Sequence, residues 1–455
     1  MPEQFAEYLR TAGEQIRWKR ARPLALSELR THLLDQRDDC LAQGMTEEDA
    51  QAEALRQMGD PAAVGTELDG VHRPRPQWGP LLMTLAVALA GASLRVGLTA
   101  GWEMGLRINP ITTAFALVLG TVALLGGYFL DYAFLGRHGA AVYMGTILAS
   151  LLSLIFTRRI MGASYYTRYL ILFYPLVYAL WLYVCRGRGW LGLLAAIAGG
   201  VPLAVLACLA PSLSGLLVLL LTGAVLLTAA AAEDWFRVGA WRGMTAVCGT
   251  MVLLGGLSIW QFLPQGMARF YQASHPELDP LGAGYQTLRV REALTSAAWL
   301  GEGTWDEVYP YPYERAVPGC ETDFFLTTVI HRLGWLPFLL LVLALGALLV
   351  WMAVRCLRQR NRLGRLAALA VVLPLGLRAV AALVLNLGFV LCSVSFPLVV
   401  GNLHTVVDMA LIGVALSVFR QERLPEQHPA AAPEERRPLV SWRDGDLVIA
   451  LGRRS

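Results

Sequence analysis

A single aspartate, Asp323, stands where the chain turns from polar to strongly apolar sequence, in the stretch "GCETDFFLTTVIHRLGW" of residues 319–335. A carboxylate at such a boundary suits a general base, which takes a proton from a reacting hydroxyl. It equally suits the cap of a helix, because an aspartate at a helix start accepts hydrogen bonds from backbone N–H groups. Spacing alone leaves both roles open.

Arginines form the second group of candidates for chemistry. A guanidinium fork matches a diphosphate in charge and in its paired donors, whereas the alternative for any such arginine is contact with anionic lipid head groups. Arg168 is the strongest of them, since it follows the aromatic pair Tyr165 and Tyr166. The others are Arg107, Arg158, Arg159, Arg269, Arg289 and Arg291.

Composition places these residues in a membrane protein. Of the 455 residues, 56% are hydrophobic and 16% are charged, against roughly 25% charged residues in soluble domains. The pattern predicts an all-α, polytopic membrane protein. The net charge of +4 is small and rests almost wholly on arginine, because Lys19 is the single lysine. Such an excess indicates orientation in the bilayer and contact with head groups, so nucleic acid is not an expected partner.

Ten apolar segments must position these side chains, each close to the roughly 20 residues that a spanning helix needs. They are centred near residues 90, 120, 148, 175, 198, 221, 252, 340, 376 and 408. The loops after even-numbered spans are rich in arginine, so those loops and both termini are predicted to be cytoplasmic. The large loop at residues 263–322, between the seventh and eighth spans, then lies on the outer side of the membrane domain, residues 76–420.

Polar segments flank the spans. Residues 1–75 have apolar positions at helical spacing, with Thr46 and Gly59 at predicted helix ends, so we expect a small cytoplasmic helical bundle. Because this segment is polar, we expect the first span to direct membrane insertion in place of a cleaved signal. The tail, residues 421–455, is expected to be cytoplasmic, and its apolar runs around residues 444–445 predict a hairpin.

Charged residues within the predicted spans are a further group. His331 and Arg332 fall in the outer half of the eighth span, where an ionisable group is a candidate for function. For both residues, pairing with Glu321, Asp323 or Asp408 and contact with a ligand stay open. Arg378 and Asp408 predict an internal ion pair, and His404 is expected to pack rather than to bind metal.

The sequence around Asp323 carries a family signature. A motif that reads Pro-Glu-x-His-Thr-Asp-Phe, then an apolar stretch and Glu-Glu-Leu-Gly, is matched at Pro318, Thr322, Asp323, Phe324, Leu333 and Gly334. The upstream stretch "DPLGAGYQTLRVREALTSAAWLGEG" looks like an Asp-Pro…Gly-Tyr-Gln…Gly-x-Gly loop, and downstream Pro397 and Gly401 are kept. With ten spans and one large loop, the chain resembles the SEDS family of cell-wall polymerases, FtsW, RodA and SpoVE. Residues 22–70 separately resemble the permease-prefix (HAAS-type) cytoplasmic helical domain.

The chain departs from the family pattern at several positions. Glu321 stands where the family has histidine, and His331 and Arg332 stand where it has two glutamates. The stretch 165–181 contains neither the glutamate nor the lysine of the family's outer cluster, and Ala297-Ala298 replaces a pair of glycines. The surroundings of Asp323 therefore differ from those of typical family members.

The resemblance implies a glycosyltransferase that polymerises lipid II, an undecaprenyl-diphosphate-linked disaccharide peptide, at the outer face of the cell membrane. Asp323 would be the general base of an inverting attack, and Thr322 and Gln286 would bind substrate together with the outer arginines. The role would lie in cell division, elongation or sporulation. A class B penicillin-binding transpeptidase and membrane lipids are the implied partners.

The implied reaction needs no cofactor, because diphosphate is already a good leaving group once cations neutralise it. A divalent cation at the diphosphate would be compatible with it. The seven cysteines are scattered without metal-ligand or disulfide-framework spacing, so neither a zinc site nor a disulfide framework is expected.

Two other functions stay open. The departures from the family pattern fit a non-catalytic homologue that binds lipid-linked precursor or scaffolds a transpeptidase. Topology alone also fits a lipid flippase, although the internal repeats that are typical of transporters are not evident.

Overall fold

A computed structural model describes the chain as two compact units, residues 1–75 with 423–455 and residues 76–422. The described residues are 3–18, 21–72, 76–102, 107–157, 159–160, 163–305, 312–359, 361–390, 393–421, 440–443 and 446–449. Within them, the backbone alone is described for residues 24, 72, 159–160, 163, 253–266, 440–443 and 446–449.

The N-terminal segment folds into four helices. They are α1 (Glu3–Gln15), α2 (Arg22–Ala42), α3 (Glu47–Met58) and α4 (Pro61–His72). The side-chain oxygen of Thr46 accepts a hydrogen bond from the Asp49 N–H and so caps α3. Gly59 ends that helix with a φ of 79°, a conformation that suits glycine. Phe5 and Leu33 pack in the core between the helices, and the helices predicted for this segment are confirmed.

The second unit begins with elements that precede the large loop. They are α5 (Trp78–Leu98), α6 (Pro110–Phe129), α7 (Tyr132–Arg137), α8 (Gly139–Phe156), strands β1 (Arg159–Ile160) and β2 (Ala163–Ser164), α9 (Thr167–Leu170), a 3₁₀ turn (Ile171–Phe173), α10 (Tyr174–Cys185), α11 (Gly189–Ala198), α12 (Gly200–Leu209), α13 (Leu213–Ala232) and α14 (Ala240–Ser274).

The remaining elements follow α14. They are a 3₁₀ turn (Pro276–Leu278), α15 (Tyr285–Thr295), α16 (Tyr313–Ala316), α17 (Phe325–Leu333), α18 (Trp335–Arg358), α19 (Arg362–Asn386), α20 (Asn402–Arg420) and the strands β3 (Val440–Arg443) and β4 (Asp446–Ile449). The antiparallel pairing of β3 with β4 confirms the hairpin predicted for the tail; its turn, at residues 444–445, lies outside the described residues.

Nine helical segments of the described chain are long and apolar enough to cross a membrane. They are Trp78–Leu98, Pro110–Phe129, Gly139–Phe156, Thr167–Cys185, Gly189–Leu209, Leu213–Ala232, Trp335–Arg358, Arg362–Asn386 and Asn402–Arg420. Each matches a predicted span, so the all-α polytopic class is confirmed. The remaining predicted span, near residue 252, falls in α14, where the side chains of residues 253–266 are not described. Helix α14 continues to Ser274, so the first residues of the outer loop predicted at 263–322 are helical.

The apolar run after Asp323 is not one helix. Gly334, with a φ of 99°, ends α17 and separates it from the span α18. A side chain could not replace its hydrogen, since an added Cβ would lie 2.6 Å from the carbonyl oxygen of Trp299. His331 and Arg332 therefore belong to a short helix before the span, and their predicted position inside the eighth span is wrong.

The last span, α20, lies against α6 at very short distance. An added Cβ on Gly413 would lie 2.3 Å from the carbonyl oxygen of Leu124, and one on Gly127 would lie 2.7 Å from that of Ala410. Only glycine allows two helical backbones to approach this closely. The contact places α20 within the buried core of the unit, where it can present side chains to an internal cavity.

Candidate active site

Polar side chains of the second unit meet at a cavity of about 400 Å³. The cavity lies among α9, α10, the α12–α13 turn, α14, α19, α20 and the loop after α19, and its size is within the roughly 300–1,000 Å³ of small-molecule sites. Its charged or hydroxyl-bearing side chains are Arg168, Ser212, Ser214, Arg269, Asp323, Arg378, Ser393, Ser395 and His404. Three predicted site residues, Asp323, Arg168 and Arg269, therefore face one space.

Asp323 precedes α17 without capping it. The residue at the cap position is Phe324, and no side chain forms a capping hydrogen bond there. Instead, a carboxylate oxygen of Asp323 accepts a hydrogen bond of 2.5 Å from the Ser393 hydroxyl. The backbone carbonyl of Asp323 accepts a further bond of 2.9 Å from the Asn386 side chain. The helix-cap alternative is thus excluded, and the carboxylate is held at the cavity wall.

Arg168, in α9, is oriented by aromatic side chains. Its guanidinium carbon lies 5.1 Å from the ring centre of Tyr165 and 4.9 Å from that of Tyr169. One terminal nitrogen donates to the Tyr169 hydroxyl at 2.9 Å, and the Nε atom is buried without a hydrogen-bond partner. A guanidinium with an unused donor at a cavity wall is suited to an anionic ligand.

The cavity is lined by more arginines than acidic side chains. Arg378 forms a buried ion pair with Asp408 at 2.5 Å, which confirms the predicted internal pair. The ion pairs between described residues do not include Arg168 or Arg269, and both line the same cavity as Asp323. The arrangement favours a ligand that carries at least one negative charge.

His404, on α20, packs at the cavity wall. Its ring meets that of Tyr169 edge to face, with 4.7 Å between the ring centres. Within the described part of the chain, no group of three or more His, Cys, Asp or Glu side chains is arranged to hold a metal ion. A divalent cation at this site would therefore need ligand oxygens from the substrate in addition to Asp323.

The other predicted arginines whose side chains the structure describes do not line the cavity. Arg107 is exposed before α6. Arg289 pairs with Glu292 at 2.6 Å within α15, and Arg291 donates to the backbone carbonyls of Ala273 and Gly388 at 2.9 and 3.2 Å. Of the remaining two, Arg158 and the side chain of Arg159 lie outside the described residues. Arg289 thus has a partner within α15, and Arg291 connects α15 to the end of α14 and to the segment after α19.

Gln286 and Thr322 also lie away from the cavity lining. Gln286 is exposed on α15. The Thr322 hydroxyl donates to the carbonyl of Gly319 at 3.4 Å, a contact that stabilises the turn before Asp323. Neither side chain is among those that face the cavity, so their predicted contact with substrate has no support from the geometry.

His331 and Arg332 both contact residues of the large loop. Arg332 forms ion pairs with Glu302 and, at 3.5 Å, with Glu314. The His331 ring stacks on Tyr313 with 4.6 Å between ring centres. Burial, followed by the charge of Arg332, lowers the pKa of His331. Arg332 therefore pairs with acids, but these are Glu302 and Glu314 and not the predicted Glu321, Asp323 or Asp408.

Several residues that line or support the cavity were not predicted as site residues from the sequence. Ser393 and Asn386 hold Asp323, and Arg378 faces the cavity besides forming its ion pair. For Arg378 the sequence does give a signal, because a charged residue within an apolar span, as at Arg378 and Asp408, indicates a functional or paired group. A lone serine and asparagine at a helix end give no comparable signal.

The fold and the cavity define a polytopic α-helical membrane protein with an internal polar site. The sequence profile of the FtsW/RodA/SpoVE family, described as "Cell cycle protein", matches residues 183–424, which is more than half of the chain. The protein belongs to this family, the SEDS family of the sequence prediction.

Two relatives illustrate the similarity. A probable peptidoglycan glycosyltransferase FtsW from Thioalkalivibrio sp. (strain K90mix) is 25% identical over 217 residues, which cover 43% of this chain and 53% of that protein. A protein of the same name from Idiomarina loihiensis is 31% identical over 142 residues, which cover 27% of this chain and 34% of that protein. The chain thus spans about half, or less, of the length of these relatives.

Solved structures share the fold at low identity. A chain described under "Structural coordination of polymerization and crosslinking by a peptidoglycan synthase complex" has a TM-score of 0.58 and 21% identity, over 76% of this chain and 98% of that one. The rod shape determining protein RodA of Thermus thermophilus has a TM-score of 0.51 and 18% identity, over 77% and 98% of the two chains. At these identities the similarity establishes the fold alone.

Proposed function

We propose that this protein is a peptidoglycan glycosyltransferase that polymerises lipid II by inverting attack, with Asp323 as the general base. The observation that carries the proposal is the cavity in which the Asp323 carboxylate shares one space with Arg168 and Arg269. Membership of the family and the names of the FtsW relatives support the same reaction class.

In the proposed reaction, a sugar hydroxyl of one substrate attacks the anomeric carbon of another. As the glycosidic bond forms, Asp323 takes the hydroxyl proton and the bond between the anomeric carbon and the diphosphate breaks. The diphosphate leaves with the electron pair, and the guanidinium groups of Arg168 and Arg269 offset its charge. Attack opposite the leaving group inverts the configuration of that carbon.

The proposed setting follows from family membership and the distribution of arginine. The cavity would open toward the outer leaflet, and both termini would be cytoplasmic. A class B penicillin-binding transpeptidase would be the partner, in line with the synthase complex of the structural relative. The domain division would be a cytoplasmic prefix bundle at residues 1–75, a ten-span domain at 76–420 and a cytoplasmic tail.

The test is polymerisation of fluorescent lipid II by purified protein, with products separated on a gel. Asp323→Asn keeps the size of the side chain but removes the base, so we expect the rate to fall by about 10²-fold or more. Glu321→Gln, the matched control, removes a nearby carboxylate that does not line the cavity and should keep the wild-type rate. Undiminished polymer from Asp323→Asn would contradict the mechanism.

A non-catalytic role is the second candidate, because residues 165–181 contain neither the glutamate nor the lysine of the family's outer cluster. In that case the wild type would bind lipid II in the same preparation without polymer. Vesicle assays separate the lipid flippase, since translocation of the lipid that persists in Asp323→Asn would favour transport.

A further inference from the structure

We infer that Ser393 and Asn386 are positioning residues for the Asp323 carboxylate, an inference that rests on the proposed function. Both belong to the end of α19 or the loop that follows it, and both form hydrogen bonds to Asp323. Neither is adjacent to Asp323 in sequence. The carboxylate is therefore oriented by the region at the end of α19, and not by α17, the helix that Asp323 precedes.

Asn386 fixes the backbone at Asp323. Its side chain is 1% exposed, and the Nδ2 atom donates at 2.9 Å both to the Asp323 carbonyl and to that of Ala382. The Oδ1 atom accepts bonds from the N–H and the hydroxyl of Thr327 at 2.9 and 3.1 Å. Both ends of the amide are thus in use, and only a carboxamide can donate and accept in this way.

Ser393 fixes the carboxylate itself. Its hydroxyl donates to the Oδ2 atom of Asp323 at 2.5 Å, and both side chains line the cavity. With Oδ2 engaged in this bond, the second oxygen, Oδ1, is the one that takes the proton of the attacking hydroxyl. A base held in one orientation reacts faster than one that rotates freely, because misplacement of a reacting group by about 1 Å costs on the order of 10²-fold.

The loop that carries Ser393 is itself anchored by the buried ion pair. Arg378 donates to the Ser395 hydroxyl at 3.2 Å, and Asp408 accepts the Leu398 N–H at 3.1 Å. Leu398 has a φ of 63°, a strained conformation for a branched residue that persists only when its surroundings hold it. The pair therefore keeps Ser393 within reach of Asp323.

The first measurement compares the changes in kcat and in KM in the lipid II polymerisation assay. Ser393→Ala should lower kcat by about tenfold, since orientation is lost, with KM close to the wild-type value, and Ser393→Thr should recover most of kcat because the hydroxyl returns. A rise in KM at unchanged kcat would overturn the inference, as would failure of the threonine variant to recover activity while its thermal stability is that of wild type.

The second measurement does not depend on turnover. The rate at which a water-soluble carbodiimide labels Asp323, read by peptide mass spectrometry, should rise about three- to tenfold in Ser393→Ala, because the hydrogen bond that shields Oδ2 is gone. Ser214→Ala removes a hydroxyl from another cavity wall and should label at the wild-type rate. Equal labelling of wild type and Ser393→Ala would overturn the positioning role, whereas absence of polymer from the wild type would count against the proposed function alone.

Discussion

The guanidinium of Arg378 lies 2.5 Å from a carboxylate oxygen of Asp408, and the two side chains are 5% and 0% exposed. Loss of one partner of such a pair leaves a buried charge without compensation. Asp408→Ala should therefore lower the free energy of unfolding by about 3–5 kcal/mol, measured by thermal denaturation in detergent.

The matched control for that change is the double variant Arg378→Met with Asp408→Leu. Because it removes both charges, it should be clearly more stable than Asp408→Ala. A double variant no more stable than the single one would show that the pair acts through its shape or hydrogen bonds rather than through charge compensation.

A second prediction concerns Arg332, which stands at a position where the SEDS family has a glutamate. Arg332→Glu returns the family residue type but places a third acid beside Glu302 and Glu314. We therefore expect a loss of about 1 kcal/mol of stability, since partly exposed charge contacts have effects of this size. Thermal unfolding checks it, with Arg332→Gln as the milder control; equal or higher stability of Arg332→Glu would contradict the assignment of these pairs.

A third prediction tests the close approach of α6 and α20. Gly413→Ala would place a methyl group 2.3 Å from the carbonyl oxygen of Leu124, so the helices must move apart, at a cost of about 1–3 kcal/mol. In the control, Gly126→Ala, the new methyl meets no heavy atom within 4 Å, and stability should hold or rise by up to about 1 kcal/mol. Similar unfolding temperatures for the two variants would refute the close contact.

A fourth prediction concerns acid stability. Because burial lowers the pKa of His331 in the folded protein, the unfolded chain takes up a proton first as the pH falls below its ordinary value of about 6.5. Stability should therefore decline between about pH 6.5 and the lowered folded value. His331→Phe, which keeps the stacking on Tyr313, should flatten this decline in unfolding temperature, whereas His32→Phe at an exposed site should not.

The spans were predictable because each must satisfy its own backbone hydrogen bonds in the bilayer, which requires a long apolar helix. The break at Gly334 was not, since a single glycine inside an apolar run is tolerated in helices and gives no clear stop signal. Its effect depends on the backbone of Trp299, which approaches from a distant part of the chain.

The site was predictable where charge stands out against apolar sequence, as at Asp323 and Arg168. The same signal could not separate Arg289 and Arg291, which make internal contacts, from arginines that face the cavity. Ser393 lies 70 residues from Asp323 in sequence. Because its role depends on one hydrogen bond to a residue so distant in sequence, no periodicity or charge pattern could have indicated it.

The glycine that separates α17 from α18 also bears on how the chain enters the bilayer. Because α17 ends before Trp335, the apolar helix that follows starts with tryptophan and contains no ionisable residue until Arg355. An arginine at the centre of a span costs about 2.5–3.5 kcal/mol on insertion scales. By ending α17 before the candidate span Trp335–Arg358, this one backbone turn leaves the buried His331 and the ion-paired Arg332 outside the apolar segment, in the helix that follows Asp323.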